Sequence, residues 1–241
     1  MNKELHNSES TDDSNTSYSI TSVEQDRKER RRYHIYVDGA AEPMLSVHED
    51  ILIKFRLLKG QSFTSDELQH ITKEDKRYRS YAMACTYLGL KSRTKKQIEQ
   101  YLQRKEFEAE EISYTLERLE RERIVDDEEY AKQFAAQRLR LGQKGRRWIK
   151  QELQQRGIDQ GTAAEAANEL DWEAELAAAE QAAEKKWRTL KGENFERRRK
   201  LMGFLMRRGF PGDITKEAIK KVAAGTIDDM EDDDDGQMLD N

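Results

Sequence analysis

Apolar residues recur along this chain at helical spacing, and the pattern they make is itself repeated. In "KKQIEQYLQRKEF", Lys95 to Phe107, Ile98 and Leu102 stand four apart and Phe107 follows five later. "RRWIKQELQQRGI", Arg146 to Ile158, carries Ile149, Leu153 and Ile158 at the same intervals, and "RRKLMGFLMRRGF", Arg198 to Phe210, carries Leu201, Leu205 and Phe210. The three central leucines are separated by 51 and 52 residues. A second stripe keeps step at +5, +9 and +12 from the last apolar residue: Ile112, Leu116 and Leu119, then Ala163, Ala167 and Leu170, then Thr215, Ile219 and Val222. That spacing holds one face of a helix. A period near 50 with three helices per unit predicts a tandem helical array in which each unit leans on its neighbours.

Upstream the rhythm changes. "YHIYVDGAAEPMLSV" alternates around Asp38-Gly39 and predicts a hairpin or paired short strands. "EDILIKFRLLKG" predicts a helix ending at Gly60, and "TSDELQHI" opens the next helix with a Thr64–Glu67 capping box. The first 30 or so residues are rich in Ser, Thr, Asn, Asp and charge, which predicts disorder. The expected fold class is therefore all-α: an elongated tandem array of three three-helix modules behind a small N-terminal segment containing short strands and a helix. The expected boundaries are a disordered tail over 1–32, the hairpin and helix segment over 33–75, modules over 76–128, 129–172 and 173–224, and an acidic disordered tail over 225–241.

Composition fits thin modules. Charged residues make up 38% of the 241 positions and hydrophobic ones 36%, against an ordinary charged share of about 25%. The net charge of −5 hides an asymmetry: eight acids lie in the final "DDMEDDDDGQMLDN", so −5 plus 8 leaves +3 for the chain before Asp228. The tail reads as a solvating end, or as an internal competitor that imitates phosphate. The single cysteine, Cys85 in "YAMACTYLGL", reads as a buried free thiol. No signal-peptide core and no run of ~18 apolar residues is present, so a reducing cytoplasm is expected.

Each repeat begins with a cation pair: Lys95 and Lys96, Arg146 and Arg147, Arg198 and Arg199. Cations at a helix N-terminus oppose the dipole by roughly 0.3–1 kcal/mol, so the pairs point to an anionic partner, with ordinary surface charge as the plainer account. A further recurring cation, Lys105, Arg156 and Arg208, falls in the last turn, where it stabilises the helix or binds; Gly157 and Gly209 read as C-caps. Trp148 lies about 120° from the Ile149–Leu153 stripe on a wheel of 100° per residue. Beside two arginines it is either an exposed anchor that stacks on a base or fills a protein pocket, or a side chain packed on a neighbouring module. Trp172 and Trp187 are expected to pack at junctions. "GQKG", Gly142 to Gly145, has the look of a loop that clamps nucleotides, but without the strands that fold needs it reads as a flexible elbow.

"IVDDEEYAKQFAAQRLRLGQKGRRWIKQELQQRGI", Ile124 to Ile158, resembles the central motif of the bacterial RecX regulatory family, and "RRKLMGFLMRRGF" resembles that family's C-terminal module. The similarity runs from about Tyr33 to Val222, and "YHIYVDG" is similar to the start of longer Gram-positive members. The resemblance implies a non-enzymatic modulator of the recombinase RecA, built of three three-helix modules that lie in the groove of the RecA–DNA filament and hinder strand exchange, ATP hydrolysis and co-protease activity. The first copy departs from the pattern with Glu106 where the others have Gly157 and Gly209, and the acidic end lies outside it.

Catalysis is not expected. The chain has no phosphate-cradling P-loop, its histidines (His6, His34, His48, His70) lack metal-ligand spacing, and no activated nucleophile can be assembled by motif. No cofactor or metal is implied. The expected function is multivalent occupancy of the RecA filament by a monomer, with contacts from Lys95, Lys96, Arg146, Arg147, Trp148, Arg198 and Arg199, joined by Lys105, Arg156 and Arg208. The rival is a direct DNA-binding protein that grips single- or double-stranded phosphate without RecA; a helical scaffold for another partner is a third reading. On these grounds Arg146→Glu with Arg147→Glu is expected to keep the fold and lose the activity.

Overall fold

The structure, a computed structural model, describes residues 16–142 and 144–231, with side chains as far as Ala224. The chain forms two compact units. One contains the described residues up to Leu90 together with Tyr101–Leu119; the other contains Lys91–Gln100 and the described residues from Glu120 onward.

The first unit opens with an antiparallel sheet of four strands, β1 (Ser17–Gln25), β2 (Arg32–Val37), β3 (Leu45–His48) and β4 (Ser62–Thr64), in the order β3-β2-β1-β4. The β2–β3 pair is the expected hairpin. Strand β1 is not expected, because it lies where polar composition predicts disorder. Its alternation is broken by a bulge: Ile20 faces Val37, the register then slips between Ile20 and Ser22, and Val23 faces Ile35. Apolar residues therefore stand at 18, 20 and 23 rather than at every second position, which disguises the strand. Ile20, Ile35, Val37, Val47 and Phe63 form one buried cluster with Ile51, Leu57 and Ile71.

Helix α1 (Glu49–Lys54) stops well before Gly60. Arg56 takes a left-handed conformation (φ 52°) and the Leu57 amide reaches back to the Leu52 carbonyl, so a non-glycine residue ends the helix and drops Leu57 into the core. Helix α2 (Ser65–Leu88) begins with the expected Thr64–Glu67 capping box, both bonds present. It runs unbroken through the boundary expected at residue 75. Its buried Asp75 accepts the His48 amide at 2.7 Å and the Arg32 guanidinium at 3.1 Å, tying the sheet to the helix. Farther along, Ser80 and Thr115 share a hydroxyl bond of 2.8 Å with neither side chain exposed, and Tyr87 stacks on Tyr101 at 4.0 Å. Thr115 lies on α4 (Ala109–Arg121), which follows α3 (Lys95–Gln103).

The second unit carries α5 (Asp127–Arg140), α6 (Arg146–Gln155), α7 (Gln160–Asn168), α8 (Trp172–Trp187), α9 (Asn194–Arg207) and α10 (Gly212–Glu231). The fold is thus mostly helical, in successive three-helix groups, behind a small segment of strands and a helix. The repeat stripes are the core: Ile149, Leu153, Leu201, Leu205 and Phe210 are fully buried, as are Ile98 and Leu102 on α3. Alanines fill the facing positions, Ala131 and Ala135 on α5 and Ala179 and Ala183 on α8, where a larger side chain would push the helix axes apart. Helix α10 continues to Glu231, past the point where the acidic tail is expected to lose structure. Residues 1–15 and 232–241 lie outside the described residues, and with them nearly half of the expected N-terminal tail and the greater part of the acid-rich end.

Asp75→Ala leaves both the His48 amide and a guanidinium that is only 15% exposed without their acceptor. A loss of about 3 kcal/mol is expected, confined to the first unit. Urea unfolding monitored by hydrogen exchange checks it: amides of β2, β3 and α2 lose protection while those of α8 and α10 do not.

Candidate functional site

The first two cation pairs, Lys95/Lys96 and Arg146/Arg147, sit in two junctions of the second unit, and the junctions share one plan. Thr94 caps α3, its hydroxyl accepting the Gln97 amide while the Gln97 side chain accepts the Thr94 amide. That hydroxyl also donates, at 2.6 Å, to the carbonyl of Arg156, which ends α6. At the second junction Gly145 occupies the same place before α6. Its amide donates to the carbonyl of Arg208, which ends α9, and the Arg147 amide donates to the Gly209 carbonyl. At the second junction amides left over at a helix start are thus matched to carbonyls left over at a helix end, and at the first the capping hydroxyl makes the equivalent link.

A carboxylate completes each junction. The Lys95 amide donates to Asp127 at 2.9 Å, and the Arg146 amide donates to Glu175 at 2.7 Å. Asp127 and Glu175 stand 48 residues apart, each one turn before a buried alanine, Ala131 or Ala179, on the first helix of a module. Burial holds the Asp127 carboxyl above the ordinary carboxylate range. Glu175 is fully buried and also takes the Arg146 guanidinium at 2.5 Å. The Lys95 ammonium meets Glu120 at 2.9 Å, a bond that holds its proton more tightly than usual. The anionic partner that the helix-start cations call for is therefore inside the molecule for the first member of two pairs.

Both junctions press on a glycine. A Cβ on Gly157 would overlap the Lys96 side chain, and one on Gly209 would overlap the Trp148 backbone and β-carbon. Both glycines are left-handed, at φ 92° and 85°. Glu106 takes the same left-handed turn at φ 63° in the first copy. No preceding copy exists to press on it, so a side chain is tolerated there. Gly145 is equally fixed, since a Cβ would strike the backbone at Phe210. The "GQKG" stretch is therefore not a free elbow at its last position, and its Gln143 lies outside the described residues.

The structure divides the expected contact residues by what already engages them. Lys95 and Arg146 are committed to carboxylates. Trp148 is half-buried, packed against the second unit's core, with the Lys144 ammonium 4.2 Å from its ring. Arg156 is half-buried, bonded to Glu152 at 2.7 Å and lying over Phe134, while Arg208 lies over Phe204. Lys96, Arg147, Arg198 and Arg199 are exposed. Lys96 pairs with its own helix through Glu99, and Arg198 with Asn194; Arg147 and Arg199 make no ion pair among the described residues. In the third copy α9 starts at Asn194, so Arg198 and Arg199 stand in its second turn rather than at its tip. Lys105 is exposed in the turn just past the end of α3, its amide donating to the Leu102 carbonyl, rather than in the helix's last turn. Trp187 is buried as expected, but Trp172 is 46% exposed. Cys85 is half-buried rather than sealed.

Asp127 and Glu175 escape a reading that looks only for cations. A signal exists nonetheless: an acid, then Ala at +4, Ala at +8 and a large apolar residue at +12 (Leu139, Trp187) occurs at both helices. The "TKKQ" capping box at Thr94 is a second one.

Comparison with known proteins finds three matching family models along the chain. Family models of the first, second and third three-helix domains of RecX match residues 81–119, 126–166 and 173–219. The chain is 30% identical to the regulatory protein RecX of Bacillus cytotoxicus, over 84% of this chain and 76% of that one. It is 31% identical to the same protein of Staphylococcus aureus strain JH9, over 79% and 70%. A crystal structure of regulatory protein RecX superimposes with a TM-score of 0.71 at 28% identity, covering 85% of this chain and 99% of that one. RecX from Lactobacillus salivarius gives 0.59 at 25% identity, covering 62% and 97%.

Three outcomes follow from the junctions. Glu175→Ala, by stranding a guanidinium and a helix-start amide, is expected to cost about 3–5 kcal/mol, whereas Glu175→Leu with Arg146→Met recovers most of that; a chemical-denaturation cycle measures the difference. Gly209→Val, which forces a β-branched residue into left-handed backbone against Trp148, is expected to cost about 2 kcal/mol or more. Glu106→Gly, at the copy that nothing presses on, is expected to gain about 1 kcal/mol by the same measurement.

Proposed function

The chain belongs to the RecX family of regulatory proteins, and on that footing we propose that it binds the RecA–DNA filament and restrains RecA by occupying successive protomers. The observation that carries this reading is the division of labour within the cation pairs. In the first two copies the leading cation holds a carboxylate of the protein itself. The following one, Lys96 or Arg147, is turned to solvent, and Arg199 holds the same repeat position in the third copy. An outward cation at the same repeat position in each module, joined in the third by Arg198, is an array matched to a partner that is itself periodic and anionic.

Each contact of this kind is weak, since an exposed ion pair contributes about 0.2–1 kcal/mol. Linking three of them raises the effective concentration of each after the first, and the combined affinity can exceed that of one module by roughly 10²–10⁴. A monomer suffices for this mechanism, acting in the compartment where RecA works. Occupancy of the filament groove would obstruct entry of a second duplex and restrain the protomer motion linked to ATP hydrolysis. Among the described residues no group of three or more His, Cys, Asp or Glu side chains gathers to hold a metal, and no helix is long and apolar enough to cross a membrane.

Arg146 is unsuited to a surface test, because reversing its charge opposes the buried Glu175 and unfolds the junction. The expected result for Arg146→Glu with Arg147→Glu is therefore loss of stability. The informative variant is Lys96→Glu, Arg147→Glu and Arg199→Glu combined. It is expected to melt within a few degrees of the parent and to inhibit RecA ATPase at least tenfold less well. Full inhibition by that folded variant, or binding to the filament no tighter than to bare single-stranded DNA, overturns the reading.

A further inference from the structure

Helix α9 carries on its outer side a stripe that the other copies lack. Phe195, Met202 and Met206 are 78%, 38% and 50% exposed, and on a wheel of 100° per residue they fall within about 40° of one another. Among the described residues no other helix bears more than one exposed large apolar side chain. The offset of 52 that relates Leu153 to Leu205 carries these positions back onto Gln143, Lys150 and Gln154. The offset of 51 that relates Leu102 to Leu153 carries those in turn onto Ser92, Glu99 and Gln103. The stripe is therefore polar in the sequence of the first two copies and apolar only in the third. It is not core, since the inward face of α9 is made by the fully buried Leu201 and Leu205.

Gly203 lies beside the stripe, and internal packing does not ask for it. It sits in the interior of α9, where glycine destabilises a helix relative to alanine. Beyond its own helix backbone, a Cβ there would meet only the flexible Arg207 guanidinium, at 3.1 Å. Its counterparts in the other copies are Gln151 and Gln100. The missing side chain leaves a hollow next to Met202 and Met206 that a neighbour from outside can enter. The rim of the stripe is cationic. Arg198, Arg199 and Arg207 are exposed and make no ion pair among the described residues, Arg198 bonding only the neutral Asn194 side chain. The one acid of α9, Glu196, is taken up by Lys200 at 3.5 Å.

We propose that this face of α9 docks on a protein surface that presents apolar side chains among carboxylates and, resting on the filament reading above, that the surface belongs to a RecA protomer rather than to the DNA. Aromatic residues, Met and Arg are the types enriched where two protein surfaces meet, and Met fits its unbranched side chain to an irregular partner. A phosphate backbone offers Met202 and Met206 nothing apolar to bury against. A second copy of α9 would set arginines against arginines, which like-charge repulsion opposes. Carboxylates complement Arg198, Arg199 and Arg207. The third module then grips protein through buried apolar area, whereas the first two, polar at these positions, engage by charge.

The test compares binding of the full chain to RecA filaments on an immobilised single-stranded oligonucleotide with binding to the bare oligonucleotide. It is run at low salt and at roughly 0.3 M salt, where exposed charge contacts are largely screened. The parent is expected to keep measurable affinity for the filament at the higher salt. Phe195→Gln with Met202→Gln and Met206→Gln changes no charge. That variant is expected to melt as the parent does, to lose at least tenfold on filaments at both salts, and to bind the bare strand unchanged. Gly203→Gln, the residue of both other copies, is expected to melt no lower than the parent and still to weaken filament binding several-fold, which a change in stability alone would not produce. Filament binding by the folded triple variant equal to the parent's overturns the proposal and leaves the filament reading standing. A parent that binds filaments no tighter than the bare strand overturns both. An equal loss on the bare strand assigns the face to nucleic acid, and a parent dimer that the triple variant dissolves assigns it to a second copy, each against the proposal.

Discussion

The second unit depends on a helix start meeting a helix end. Every α-helix leaves amides unpaired at one end and carbonyls at the other, and burying either without a partner costs about 1–3 kcal/mol per group. Here the start of α6 is set against the last turn of α9, and the first turn of α3 against the last turn of α6. The dipoles meet positive end to negative end, so groups that would otherwise need water or side-chain caps are satisfied by the next copy of the same motif. That contact requires close backbone approach, which is why Gly157, Gly209 and Gly145 stand where they do.

The same contact sorts the charges. A lysine or arginine at a helix start is unfavourable in isolation. At both junctions a carboxylate held one turn before a buried alanine, Asp127 or Glu175, takes the amide of that residue; the Arg146 guanidinium meets Glu175 as well, while the Lys95 ammonium meets Glu120. Since Glu175 has no exposure to solvent, its pairing with Arg146 cannot be exchanged for an external anion without stranding a buried charge. What is left for a partner is the neighbouring cation, which the junction geometry turns outward. A doublet of like charges that looks redundant in the sequence is two residues with different tasks.

Most of the helical core was legible from periodicity, because Ile98, Leu102, Ile149, Leu153, Leu201, Leu205 and Phe210 are large, apolar and regularly spaced, and all are fully buried. What escaped had physical reasons. Strand β1 hid behind a bulge that shifts its apolar positions by one. Helix α1 ended early on Arg56, a left-handed residue with no glycine to announce it. The cation pairs were visible, but a count of charges cannot tell a cation facing solvent from one facing a carboxylate 29 residues away in the chain, as Arg146 does. The Gly157/Gly209/Glu106 contrast was visible too. Its cause was not, because it depends on which copy has a predecessor.

Within a repeat, positions bound by the junction have little freedom and the others can diverge, so differences between copies mark where a module has acquired its own task. Position 152 and its counterpart 204 show this well. Glu152 and Phe204 both sit beside the arginine that ends their helix, and both satisfy it, one by charge and hydrogen bonds, the other through the ring quadrupole. The two side chains differ in kind, because a carboxylate cancels charge where a ring face only attracts it. Substituting one for the other changes the potential beside the helix end while leaving the backbone junction as it was. A tandem array can in this way give joints of one plan different surroundings.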